Sequence, residues 1–359
     1  MKKQFLLGLV VVVALMLSLV GVLAQEDMAA TVMLGGNDDL GPFLVDANGM
    51  TLYMFTNDAP GVSNCTGDCE LNWPPLLMDE TGQPTLEAGV PGTLGIITRE
   101  DGSGQVAYNG MPLYYWVNDA APGDATGQGV RDVWFVVAPP DVSLGGNDEL
   151  GDFLVGANGM TLYLFTNDEM GVSNCYDDCA LNWPPLLVDS ADALTTQPGL
   201  IGEFGTTERT DGTLQVTYDG MPLYFWVNDA APGDATGQGV RDVWYIVKPP
   251  TVNVGGNEEL GPFLIGPNGM TLYLYTEDEA DVTNCYDNCA IAWPPLLVAE
   301  GETPTAGEGV MGELGVITRD DGGFQVTIDG IPLYYWINDV VPGDATGQNV
   351  REVWFVLSP

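Results

Sequence analysis

Along residues 51–55 the side chains alternate as in a strand, with Tyr53 and Phe55 on one face and Leu52 and Met54 on the other. Both faces are apolar, and residues 112–116 repeat the pattern. A strand that is apolar on both faces is a central strand covered on each side. Residues 43–45 and 51–55 flank Asp46-Ala47-Asn48-Gly49, a turn signal between strands. Residues 105–108 and 112–116 flank Asn109-Gly110, the shortest hairpin signal. Residues 131–137, rich in Val, Trp and Phe, predict a further strand. After the leader, no stretch sustains a capped helical period over three turns. The expected fold class is therefore all-β, with small sandwich or barrel-like domains.

The pattern recurs every 110 residues without slippage. Cys65, Cys175 and Cys285 stand in register, as do Trp73, Trp183 and Trp293. A period of this length is a whole domain, because solenoid repeats run to about 20–50 residues. Each domain also repeats within itself. The stretch from Gly49 to Asp58 aligns with that from Gly110 to Asp119, and each runs on to a tryptophan, Trp73 or Trp134. This predicts two pseudo-symmetric halves per domain. The expected organisation is a signal peptide at 1–24, a linker at 25–32, and repeat domains at 33–140, 141–250 and 251–359. Pro139-Pro140 and Pro249-Pro250 are short, stiff joints.

Lys2 and Lys3 precede an apolar run from Phe5 to Leu23, and Val22-Leu23-Ala24 supplies small residues for cleavage after Ala24. The run is long enough to span a bilayer, so a retained anchor is the alternative, and a membrane partner is expected only in that case. The net charge is −41, and loss of the two leader lysines with no acid makes it −43. Such a chain repels nucleic acid and anionic lipid, while its 45% hydrophobic content supplies a core. The chain has no histidine, which excludes Ser-His-Asp and Cys-His catalysis and histidine-bound metals. No catalytic residue is assigned.

Apart from Lys248, the basic residues after the leader are Arg99, Arg209 and Arg319 at one repeat position and Arg131, Arg241 and Arg351 at another. A chain so poor in cations is using these, either in structural ion pairs or for an anionic ligand. The specific expectation pairs Arg131 with Asp119 (or Asp58), Arg241 with Asp229, and Arg351 with Asp339. The cysteines come as Cys65 with Cys69, Cys175 with Cys179, and Cys285 with Cys289, and in an exported chain such pairs favour disulfides. The alternative is a redox or copper(I) site built from the same thiolates. Tryptophans at repeated positions predict a core, with sugar stacking as the alternative. Pro122-Gly123-Asp124-Ala125-Thr126-Gly127-Gln128 returns unchanged at 232–238 and 342–348. It reads as a constrained turn. A hard-cation site for calcium at Asp124, Asp234 and Asp344 and a partner contact are the alternatives.

The Tyr-x-aromatic-x-x-Asp signature, the Cys-x-x-x-Cys leading into Trp-Pro-Pro-Leu, and the Gly-x-Pro-Leu-Tyr hairpin together resemble the secreted repeat and predicted lipoprotein family named for its YX(FWY)XXD motif. The signature falls on Tyr53, Phe55 and Asp58, on Tyr163, Phe165 and Asp168, and on Tyr273, Tyr275 and Asp278. The resemblance implies bacterial export and tandem copies, with no established activity. The chain lacks the lipid-acceptor cysteine of the lipoprotein members. The expected function is a non-catalytic exported repeat protein, a cell-surface, matrix or adhesion-type module whose partner is an extracellular ligand or cell-envelope component. The alternatives are an extracytoplasmic redox or copper-handling protein and a carbohydrate-binding protein.

Overall fold

The computed structural model describes residues 31–359 apart from Asp38, Glu80, Thr81, Ala88 and Gly89. The expected signal peptide and most of the expected linker lie outside the described residues. In the first repeat unit the strands are β1 (Val32–Asn37), β2 (Gly41–Asp46), β3 (Tyr53–Phe55), β4 (Leu94–Thr98), β5 (Gly104–Tyr108), β6 (Met111–Pro112) and β7 (Trp134–Val136). β1 and β2 form an antiparallel hairpin, β3 pairs with β7, and β4, β5 and β6 form a meander. Leu44 and Leu52 donate backbone hydrogen bonds to Val137 and Leu44, which ties β2 to β3 and β7. The other two units repeat this arrangement, and the protein is essentially all-β.

At the centre of each unit the two halves exchange backbone hydrogen bonds through one pair of tyrosines. Tyr53 N donates to Tyr114 O at 2.8 Å, and Tyr114 N donates to Tyr53 O at 2.9 Å. These tyrosines occupy equivalent places in the two halves, so the pseudo-twofold axis passes between them. Strand alternation then sorts the core into two layers. Leu44, Leu52, Leu113 and Val137 enter an aliphatic cluster with Val106 and Tyr108. Their neighbours Phe43, Val45, Tyr53, Tyr114, Trp134 and Val136 enter an aromatic cluster with Trp73 and Cys65. The double-sided apolar strands of the sequence are thus central strands with a covered face on each side.

One local expectation changes. The strand expected over 131–137 begins only at Trp134, because Arg131 and Asp132 take left-handed backbone angles (φ 55° and 56°) that break it. The cysteine loop closes as a single helical turn, Asp178–Asn182 and Asn288–Ala292, in the second and third units. Among the described residues no helix is long and apolar enough to cross a membrane.

The units also touch. Lys248 crosses the second joint to Glu302, at 2.5 Å. Val340 and Val341, which stand where the other units have Ala-Ala, lie against Gly95 and Gly110 of the first unit.

Candidate functional site: a stacked aromatic ladder in each unit

The signature tyrosine and aspartate of one half do not bond to each other. Tyr53 Oη donates to Asp119 Oδ2 at 2.6 Å, and Tyr114 Oη donates to Asp58 Oδ2 at 2.7 Å. The same exchange joins Tyr163 to Asp229 and Tyr224 to Asp168, then Tyr273 to Asp339 and Tyr334 to Asp278. Each motif is completed by the opposite half, so a single half cannot satisfy its own polar groups. Burial, with the neighbouring carboxylate, pushes the Tyr53, Tyr163 and Tyr273 phenols far above their ordinary value.

This exchange overturns the expected ion pairs. The Asp119 carboxylate is occupied by Tyr53 Oη and by the backbone N and Oγ1 of Thr126. Arg131, Arg241 and Arg351 are exposed and make no salt bridge among the described residues. They stand on left-handed backbone (φ 55°, 54° and 53°) with their side chains in solvent.

The other arginine series carries the structural role. Arg99 is buried and donates to Ser63 Oγ and Cys65 O at 2.9 Å, and to Gln105 Oε1 and Glu70 Oε1 at 2.5 Å. It locks the cysteine loop of one half to β5 of the other. Arg209 and Arg319 repeat the contacts to the cysteine-loop carbonyl and to Gln215 and Gln325. Their charge is met differently. Tyr176 and Tyr286 lie under the guanidinium at 4.4 and 4.7 Å, and Asp321 pairs with Arg319. Where the first unit has Thr66 in place of that tyrosine, Glu70 supplies the carboxylate. The buried glutamines were missed in the sequence, although a polar residue returning unchanged as Gln105, Gln215 and Gln325 inside an apolar strand was a usable signal.

The cysteines are closed as Cys65–Cys69, Cys175–Cys179 and Cys285–Cys289, with Cα atoms 5.2–5.3 Å apart, and no free cysteine remains among the described residues. In this oxidised form the two sulfurs of each pair are bonded to one another. On the chain-entropy formula, closing so short a loop contributes about 2 kcal/mol. Reduction should lower the melting temperature by a few degrees and leave the β-sheet circular dichroism unchanged. A full loss of structure on reduction would assign the bond a larger role.

The invariant loop also resolves into structural contacts. Asp124 Oδ2 accepts the N–H groups of Ala120 and Ala121 at 2.9 Å, and Asp234 and Asp344 do the same for their own loops. Gln128 Oε1 accepts Val136 N at 2.8 Å. A Cβ on Gly127 would stand 2.8 Å from both Trp73 and Tyr53, so only glycine fits beneath those rings. The carboxylates proposed for calcium thus close a turn, and no metal-binding cluster occurs among the described residues.

What remains open is an aromatic cleft. Phe55, Trp134, Trp73 and Trp116 stack in that order, with centroids 4.3, 3.9 and 4.2 Å apart. Tyr53 and Tyr114 meet the two inner indoles edge-on. Trp73 and Trp134 are 4% and 3% exposed, whereas Phe55 and Trp116, at the ends of the stack, are half-buried. Packing thus claims the inner rings, as the repeated positions implied. The same ladder stands in the other units as Phe165–Trp244–Trp183–Trp226 and Tyr275–Trp354–Trp293–Trp336. In the first unit all four rings line a cleft of about 640 Å³, whose rim carries Asn57, Asn64, Asp68, Asn72, Cys69 and Arg131.

Burial raises the carboxyl groups of Asp58, Asp168 and Asp278 above the ordinary carboxylate value, against the opposing hydrogen bonds they accept; it raises Asp339 as well. A carboxyl with a raised folded-state pKa favours the folded chain when protonated. That stabilisation is complete below about pH 4 and is lost as pH rises through the folded-state values. The lowered carboxyls Asp101, Asp211 and Asp321 are exposed and act only below that range. Acidification also relieves the mutual repulsion of 50 acids. Melting temperature in low salt should therefore climb from pH 7 toward pH 4.5. A maximum at neutral pH would contradict this account.

A model of the family described as a secreted repeat of unknown function matches six segments, residues 36–77, 95–138, 146–187, 205–248, 256–297 and 315–358. Each repeat unit holds two of these segments, one for each half that exchanges tyrosine and aspartate. No curated protein and no solved structure matches the chain. The chain is an extracytoplasmic repeat protein, and it belongs to this secreted repeat family of unknown function.

Proposed function

We propose that the protein is a surface, matrix or adhesion-type binding module that engages an extracellular or cell-envelope polymer through three equivalent clefts. Each of the stretches 33–140, 141–250 and 251–359 acts as one binding unit. The observation that carries this reading is the recurrence, in every unit, of a half-buried end ring together with an exposed arginine that has no protein partner among the described residues; in the first unit the two line one cleft. A packing role accounts for the inner indoles but not for that arginine on strained backbone. Three linked weak sites gain avidity of roughly 10²–10⁴ over one without any new contact.

The test is sedimentation of the mature chain with washed cell-envelope and matrix polysaccharide. Trp116→Ala, Trp226→Ala and Trp336→Ala are introduced singly, in pairs and together. Retention should fall more steeply than in proportion to the number of altered units. Unchanged retention in the triple variant would sink the proposal. One observation favours a redox reading instead, namely that Cys69 borders the cleft. Reactive thiols in natively exported protein would move the assignment there.

A further inference from the structure

Indole N–H groups are donors that normally find an acceptor when buried. Here none of the nine tryptophan N–H groups donates to a protein acceptor among the described residues. None is sealed off either, since Ser143 Oγ is the one fully buried side-chain polar atom there without a partner. Trp73 and Trp134 are more than nine-tenths buried and both line the cleft. Trp183 with Trp244 and Trp293 with Trp354 are equally buried in the other units. Within the first unit the cleft straddles the pseudo-twofold, being lined by Phe55 with Trp116, Cys69 with Val130, Asn72 with Val133, and Trp73 with Trp134. Related by that axis, the two inner indoles face the cleft in the same way.

We infer that each cleft binds a uronic-acid unit of an extracellular acidic glycan, with the carboxylate held by Arg131 and the N–H groups of Trp73 and Trp134. This identification rests on the binding-module reading above. Three donor side chains that border the cleft without a carboxylate partner suit an oxyanion. The rim also offers acceptors for sugar hydroxyls. Asp68 is one, and Asn72 is another, since its Nδ2 already donates to Asp68 O and leaves Oδ1 free. A simple inorganic anion has no use for those acceptors, whereas a sugar acid uses both kinds. The half-buried end ring, Trp116, offers an apolar surface to the sugar ring. The chain's own negative charge is screened beyond about 8 Å at physiological salt, so the ligand senses mainly the groups on the rim. Strain supports the assignment. Two successive non-glycine residues, Arg131 and Asp132, hold positive φ, and so do Arg241 with Asp242 and Arg351 with Glu352. That backbone geometry recurs in every copy, and in the first unit Arg131 borders the cleft.

The experiment titrates the ¹⁵N-labelled mature chain with trigalacturonate, its methyl ester, a neutral galactose trimer and oligoglutamate, following the indole N–H resonances. Trigalacturonate should shift the signals of the two inner indoles of each unit and bind at least 10-fold tighter than the ester or the neutral trimer. The triple variant Arg131→Gln, Arg241→Gln, Arg351→Gln should keep its melting temperature and lose roughly 10- to 100-fold in affinity, the size of a charged hydrogen bond. Equal binding of the ester, unmoved indole signals, or no binding by the folded wild type would each overturn the inference. Equal binding of oligoglutamate would reassign the ligand to an acidic protein and overturn the sugar. If the arginine variant still sediments with cell envelope through three sites, the inference fails while the binding-module reading stands. If sedimentation shows no dependence on the number of sites, that reading fails too.

Discussion

Replacing Arg99 by alanine is expected to lower the stability of the first repeat unit by about 2–4 kcal/mol, because it strands the buried acceptors Gln105 Oε1 and Cys65 O while Glu70 stays partly solvated. Four acceptors depend on this guanidinium: Ser63 Oγ, Cys65 O, Gln105 Oε1 and the Glu70 carboxylate. Gln105 is fully buried, and its Nε2 is already committed to Leu113 O at 2.8 Å, so it has no alternative donor nearby. Lysine should restore little, because an ammonium lacks the planar fork that reaches both halves of the unit. Hydrogen exchange read separately on each unit gives the answer. Protection of β5 should collapse in the first unit and persist in the other two. Arg131→Ala serves as the contrast, with an expected change within about 0.5 kcal/mol because that side chain is exposed and unpaired. Similar losses for the two arginines would falsify this division of roles.

Asp119→Ala should be at least as damaging, costing about 3–5 kcal/mol, because it strands the Tyr53 hydroxyl together with the N–H and hydroxyl of Thr126. Tyr53→Phe removes one donor and the acceptor of Gly127 N, but leaves the carboxylate with its two Thr126 contacts, so about 1–3 kcal/mol is expected. The double variant should show a coupling energy above about 1 kcal/mol between Tyr53 and Asp119. A pairing of Tyr53 with Asp58, its own signature partner, should show coupling near zero. Denaturant unfolding of the full mature chain, with exchange protection assigning the loss to the first unit, separates these outcomes. Strong coupling within one motif copy and none across the two halves would reject the reciprocal exchange.

Much of the architecture was legible in the amino-acid sequence because it depends on short-range rules. Period-two alternation set the two faces of the strand through Tyr53, and the structure divides those faces between an aliphatic and an aromatic layer. Asn109-Gly110 marked its hairpin because left-handed angles are accessible to those residues, and the structure places both at positive φ. The 110-residue period and the inner repeat announced three units of two halves, and the six matched segments follow that division. A spacing of four restricted each cysteine to a local partner.

Which polar groups meet was decided only in three dimensions. Sequence register offered Tyr53 an aspartate five residues away, yet the pseudo-twofold brings Asp119, 66 residues distant, to its hydroxyl. Two arginines per unit looked alike in the sequence, and their fates were opposite. Arg99 follows a strand that carries it under the cysteine loop, whereas Arg131 sits on a left-handed turn that points it into solvent. Alternation and turn chemistry act over a few residues, and they cannot say which distant donor will lie within 3 Å of a given acceptor. That depends on where the two halves close against each other. The same closure stacks the four rings and leaves Trp73, Trp134 and Arg131 around one cleft, an arrangement that no local pattern in the chain encodes.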